Sequence, residues 1–231
     1  MNRHPSPHKS TIVRLAAVAL AIGSAHNAMG NLVMDGGFEA TTSGPNSYIA
    51  NPFNPPTTDL TYWMHSGGIA AVYAPGTADT LGAKDGTIPI YLWGPKNPAP
   101  GPNSPNGLSA TSLKNGGNFL ASDSDPNYAG AIFQQIKGLT LGGRYELTFE
   151  WAAAQFRNNN GSLWNGETFS SWSVTLGSAG TQSTGPLKIP SHGFSGWKDA
   201  ALVFTIPKTS TGTEVLSFLA VGTPIGLPPV A

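Results

Sequence analysis

Glu146 and Glu150 occupy one face of an alternating run, two pleats apart. Two carboxylates in that arrangement raise the question of glycosidic hydrolysis, which needs an acid and a base or nucleophile flanking the scissile bond. At the rise of an extended strand their Cα atoms are about 13–14 Å apart, against roughly 5–9.5 Å between the carboxyl groups of a working pair. Pairing with Arg144 or with solvent is the simpler use for them. Glu167 and Asp199 have no local partner in sequence. The five histidines form no H-x-x-x-H spacing. His4, His8 and His26 fall in the first thirty residues, and His192 sits in a Gly/Ser stretch that reads as plain surface. Ser195, between Phe194 and Gly196, lacks the G-x-S-x-G elbow of a hydrolase nucleophile. The missing constellations point away from an enzyme.

Asp123-x-Asp125-x-Asn127 matches the first half of a calcium loop, but Tyr128 stands where the sharp-turn glycine belongs and Gln134 where the bidentate glutamate belongs. An EF-hand is excluded. An Asp/Asn turn needs no metal. The aromatics suggest another chemistry, because tryptophan and tyrosine stack on the apolar faces of sugar rings while amides bind the hydroxyls. Trp63, Trp164 and Trp172, with Tyr48 and Tyr62, lie in or beside polar, loop-rich sequence. Gln155, Arg157, Asn158, Asn159, Asn160 and Asn165 surround Trp164. The expected ligand contacts are Trp63, Trp164, Gln155, Asn158, Asn159 and Asn160. The plain alternative is that these rings cap a core.

Strands must position these residues. Tyr145, Leu147, Phe149 and Trp151 alternate with Arg144, Glu146, Thr148 and Glu150 after the turn pair Gly142-Gly143. Period two with aromatic content predicts a strand with one buried face, and Trp151 is assigned to the core. The same logic predicts strands over Trp172–Leu176, Ala200–Ile206 and Val215–Val221, over Asn118–Ala121 and Ala131–Ile136, and over Leu32–Met34 ahead of Asp35-Gly36. No twelve-residue window carries a helical period. Thr41–Asp59 and Gly94–Asn118 read as long loops. Many short strands joined by turns imply an all-β, antiparallel sandwich of the jelly-roll kind.

Composition narrows the class. The 231 residues hold 29 Gly and 20 Pro with only 10% charge, which alone would suggest disorder. Six Trp, ten Phe and six Tyr argue for a packed core instead. Net charge is zero and no basic run follows the N-terminus, which disfavours nucleic acid and anionic membrane as partners. Without cysteine there are no disulfides, thiolate nucleophiles or Cys-type metal sites. Arg3, Lys9 and Arg14 precede an apolar run, Leu15–Ile22, too short to span a bilayer. That pattern reads as a secretory signal peptide over residues 1–30, cleaved after Ala25 or Gly30. Residues 31–231 then form a single exported sandwich domain, placed outside the cell or on its outer surface, with no transmembrane segment.

The stretch Asn31-Leu32-Val33-Met34-Asp35-Gly36-Gly37-Phe38-Glu39 resembles the opening strand of secreted galactose-binding-like jelly rolls of the carbohydrate-binding-module type. Asp123–Tyr128, Ile132–Ile136, Gly138–Gln155, Trp172–Gly177, Ser191–Trp197 and Glu214–Pro228 follow in order. Together they are similar to bacterial proteins carrying a PEP-CTERM export signal. The resemblance implies a structural calcium in which Glu39 or Asp123 takes part. It also implies a further strand and a Pro-Glu-Pro tail, neither of which is in the sequence through Ala231. The function it implies is a non-catalytic module binding extracellular or cell-surface carbohydrate, such as exopolysaccharide. The alternative is a structural cell-envelope or biofilm-matrix protein with no glycan site.

Overall fold

The computed structural model describes residues 16–19, 31–53, 59–84, 89–96, 99–108, 117–158, 164–227 and 229–231, with Ala16–Ala19 and Asn158 described by backbone alone. Among the described residues, sixteen strands run in chain order. They are β1 (Ala16–Ala19), β2 (Ser47–Ala50), β3 (Met64–His65), β4 (Ala70–Tyr73), β5 (Ala83–Lys84), β6 (Pro89–Leu92), β7 (Phe119–Ser122) and β8 (Ala131–Lys137). Then follow β9 (Arg144–Trp151), β10 (Ala154–Asn158), β11 (Thr168–Leu176), β12 (Thr181–Ser183), β13 (Leu187–Ile189), β14 (Lys198–Thr205), β15 (Thr213–Thr223) and β16 (Pro229–Val230). The fold is all-β, as the period-two runs require.

One sheet has the order β12-β11-β15-β8-β3, with β13 also paired to β11. A second runs β16-β10-β6-β5-β2-β4-β7, and a third is β1-β9-β14. Pairing is antiparallel throughout except for the single β2–β5 contact. The pattern on β9 explains the layering. Tyr145, Leu147, Phe149 and Trp151 are 3–5% exposed, and the residues between them are half-buried or exposed. They meet Trp172, Val174 and Leu176 of β11 and Leu216, Phe218 and Ala220 of β15 in one core cluster. A second cluster gathers Tyr48, Tyr73, Phe119, Phe156 and Val230 around the seven-stranded sheet.

The expected opening strand is absent: Leu32–Met34 is not extended into any sheet. The Gln134 side chain accepts from Met34 N at 3.0 Å and donates to Met34 O at 3.1 Å, and Asn31 Oδ1 accepts from Val33 N. Side-chain amides thus satisfy backbone groups that a neighbouring strand would otherwise take. The Asp35-Gly36 turn does form, with Asp35 at φ +48° and its carboxylate accepting from Glu39 N and Ala40 N. Strand β2 lies inside the stretch expected to be one long loop. Among the described residues no helix is long and apolar enough to cross a membrane. Both expected cleavage positions lie outside the described residues.

A candidate ligand chamber between the sheets

Phe149 and Trp151 of β9, Trp172 of β11, Phe218 of β15 and Phe119 of β7 converge on an apolar chamber of about 50 Å³. Phe218 meets Phe149 edge-on (5.3 Å, 88°) and Trp172 edge-on (5.8 Å, 85°), and Phe119 meets Trp197 at 5.4 Å and 76°. Edge-to-face rings make up much of the wall, and Leu92, Leu108, Leu120, Ile132 and Val230 line the rest. Glu150 is the one acidic residue on the wall, and Val230 with Ala231 supplies part of the floor.

Phe194 and Trp197, packed edge-to-face at 5.9 Å, are the two rings of the wall that remain half-buried. Both belong to the loop over residues 190–197, between β13 and β14, and the loop is pinned from below. Gln155, fully buried, accepts from His192 N and donates to Gly166 O at 3.1 Å. Gly166 N in turn donates to Ser191 Oγ. Ser195 N donates to Ala153 O at 2.9 Å, and Ala153 N returns a bond to Ser195 Oγ at 2.8 Å. The His192 ring lies flat on Trp93, 4.0 Å between centroids and 10° between planes. Burial lowers the His192 pKa, opposed by a hydrogen bond with the Trp164 backbone. His192 holds φ +61°, so the loop is fixed at its start by a left-handed residue.

The floor rests on buried acids. Asp123 and Asp125 are each 1% exposed. Asp125 accepts from Asn127 N and from Gly226 N, while Asp123 accepts from Asp125 N and bridges Val230 through its backbone. Burial raises the Asp123 pKa to about 7, against the Asp125 N–H bond and with help from the Asp125 charge. Ser122 and Ala231 exchange both backbone bonds, so the last residues are latched to β7.

The sequence-expected ligand residues scatter. Trp63 is 4% exposed, donates from its indole N–H to Asp35 O at 3.0 Å, and packs on Phe38 and Phe218. It is a core residue, as is Trp172. Gln155 holds the loop rather than facing solvent. Trp164 is half-buried and meets His192 through its backbone. Asn158 pairs with Ile90 at the end of β10, and Asn159 and Asn160 lie outside the described residues. Glu39 is exposed and Asp123 buried; among the described residues no three His, Asp or Glu side chains gather as a metal group. Glu146 and Glu150 both sit on β9, and Glu150 alone reaches the chamber. Sequence reasoning missed Phe194 and Trp197, although two aromatics three residues apart among glycines were a visible signal.

No family model and no curated protein matches the chain. Among solved structures, it is similar to an apo cyclase from Fischerella sp., at 13% identity and TM-score 0.43, over 93% of this chain and 96% of that one. It is also similar to the Stig cyclase Fisc from Fischerella sp. TAU in complex with (3Z)-3-(1-methyl-2-pyrrolidinylidene)-3H-indole, at 14%, TM-score 0.41 and 93% of both chains. A CBM4 structure matches 48% of this chain and 72% of its own, at 13% and TM-score 0.16. The expectation of a non-catalytic carbohydrate-binding module is therefore corrected. The two neighbours named first are cyclases by their own description, and two of the residues meant to face a sugar, Trp63 and Gln155, are interior. At these identities and TM-scores neither a role nor a reaction is carried across.

Proposed function

We propose that the protein takes up a small apolar molecule, a ring or a branched hydrocarbon, in the aromatic chamber. The observation that carries this reading is the chamber itself: an apolar space walled by eight aromatic side chains, in an interior where close packing is the rule. Size sets the terms of entry. A dry cavity of about 150 Å³ admits benzene, three times the space here, so a ring enters only as Phe194 and Trp197 swing outward. The basic N-terminus followed by a short apolar run supports export of the protein that carries this site.

Thermal melting with and without saturating toluene tests the reading. Trp197→Ala should lower the melt by roughly 2 kcal/mol, less than the 3–5 kcal/mol of a fully buried ring, and should then be rescued by toluene. Wild type should gain less. At this chain length each kcal/mol is about 2–4 °C. Identical melts with and without toluene in both proteins would overturn the proposal.

A further inference from the structure

The outer edge of β9 is occupied by the segment read here as the leader. Ala16, Ala17, Val18 and Ala19 pair antiparallel with Thr148, Leu147, Glu146 and Tyr145. Without them this sheet consists of β9 and β14 alone. A two-stranded ribbon is marginal, and a bare edge presents unpaired backbone groups to any extended chain. The interior beneath the same edge is underfilled: Tyr145, Leu147 and Leu216 line an apolar cavity of about 20 Å³.

We infer that, in the chain freed of residues 1–30, a second copy of the protein takes the place of Ala16–Ala19. The two β9 strands pair antiparallel about a two-fold axis at Leu147. The strand's own sequence selects this occupant and this register. Directly opposed residues share a face, so inner positions must meet inner ones, which restricts the register to steps of two. Centred on Leu147, Arg144 faces Glu150, Tyr145 faces Phe149 and Glu146 faces Thr148, each twice by symmetry. Moving the centre to Thr148 sets Glu146 against Glu150, and moving it to Glu146 sets that residue against its own counterpart. A centre at Tyr145 also sets Arg144 against Glu146 but pairs only residues 144–146 of β9, whereas the Leu147 register opposes unlike charges while pairing residues 144–150. It yields a continuous four-stranded sheet, β14-β9-β9-β14, and brings a guanidinium beside the acidic residue of the chamber wall. The arrangement is isologous and closed, which limits it to a dimer.

The experiment uses protein recovered after export, its N-terminus sequenced, beside the full chain retaining residues 1–30. Light scattering should give a monomer for the full chain and a dimer for the processed one. Hydrogen exchange of amides 144–150 should slow as the processed protein is concentrated. Arg144 is exposed, so Arg144→Glu should keep its circular dichroism while weakening the dimer by about tenfold or more. Adding Glu150→Arg should restore association. Should the double variant misfold, Arg144→Gln, with a smaller loss, reads the same contact. A processed protein that stays monomeric overturns the inference. So does a dimer whose 144–150 amides exchange as in the monomer, or one that Arg144→Glu leaves unchanged.

Discussion

The chamber beneath Phe149 and Trp151 and the smaller cavity beneath Tyr145 and Leu147 are neighbours on one strand, yet their walls mix rings and aliphatic chains in different proportions. Aliphatic chains such as Val33, Ile136, Leu139 and Leu216, with the rings of Tyr145 and Phe204, wall the smaller one, which holds about 20 Å³. Branched aliphatic chains flow into such corners, and what remains is a packing defect. Eight rings, several of them packed edge-to-face, dominate the wall of the larger beside Leu92, Leu108, Leu120, Ile132 and Val230, and two of the rings ride on a loop that hydrogen bonds fix at its base. A void becomes a site when its walls cannot collapse and one of them can move. Only the chamber meets both conditions.

That contrast can be broken from the floor upward. Asp123 keeps its proton in the folded chain to about pH 7 and loses it near 3.8 when unfolded. The folded state therefore binds more protons between those values, and stability falls as pH rises from about 4 to 7. The loss is of order a few kcal/mol. Asp123→Asn, which cannot ionise, should flatten the fall. Melts across that range check both. Glu214 works in the opposite sense, since hydrogen bonds from Ser178 and Ser210 lower its pKa. Its contribution is present at neutral pH and fades as acid is added below the usual carboxylate range.

A smaller effect sharpens the comparison from the other side. Val33→Ile adds one methylene to the wall of the 20 Å³ cavity, and burying a methylene is worth about 0.8 kcal/mol. The variant should melt slightly higher and respond to toluene as wild type does. A changed toluene response would mean the two spaces communicate.

Much of the second half of the fold was legible because long strands with one wet face alternate. β9, β11, β14 and β15 announce themselves through residues such as Tyr145 to Trp151 and Leu202 to Phe204. The first half hid its strands. β4 and β6 are four residues long and buried at every position, so no period exists to be read, whereas β7, equally short and buried, is expected over Asn118–Ala121 beside the Asp/Pro/Asn turn. The same physics misled the search for a site. Trp172 lies between Ser171 and Ser173, and Trp63 between Tyr62 and Met64, which are 45% and 54% exposed. Polar or exposed neighbours are what a buried ring in a strand should have, so flanking polarity marks a pleat and not a loop. Gln155 deceived by residue type: its amide is fully used by two loops that only the fold brings together. Phe119, Phe194 and Trp197 come from β7 and a distant loop, and no local pattern could have joined them.

Crystals soaked in iodobenzene give the most direct reading of the chamber. An anomalous iodine peak among Phe119, Trp172 and Phe218, with Trp197 displaced outward, is the result expected. Iodine absent from that space while Phe194 and Trp197 keep their places would contradict the claim that this is where the protein holds its ligand.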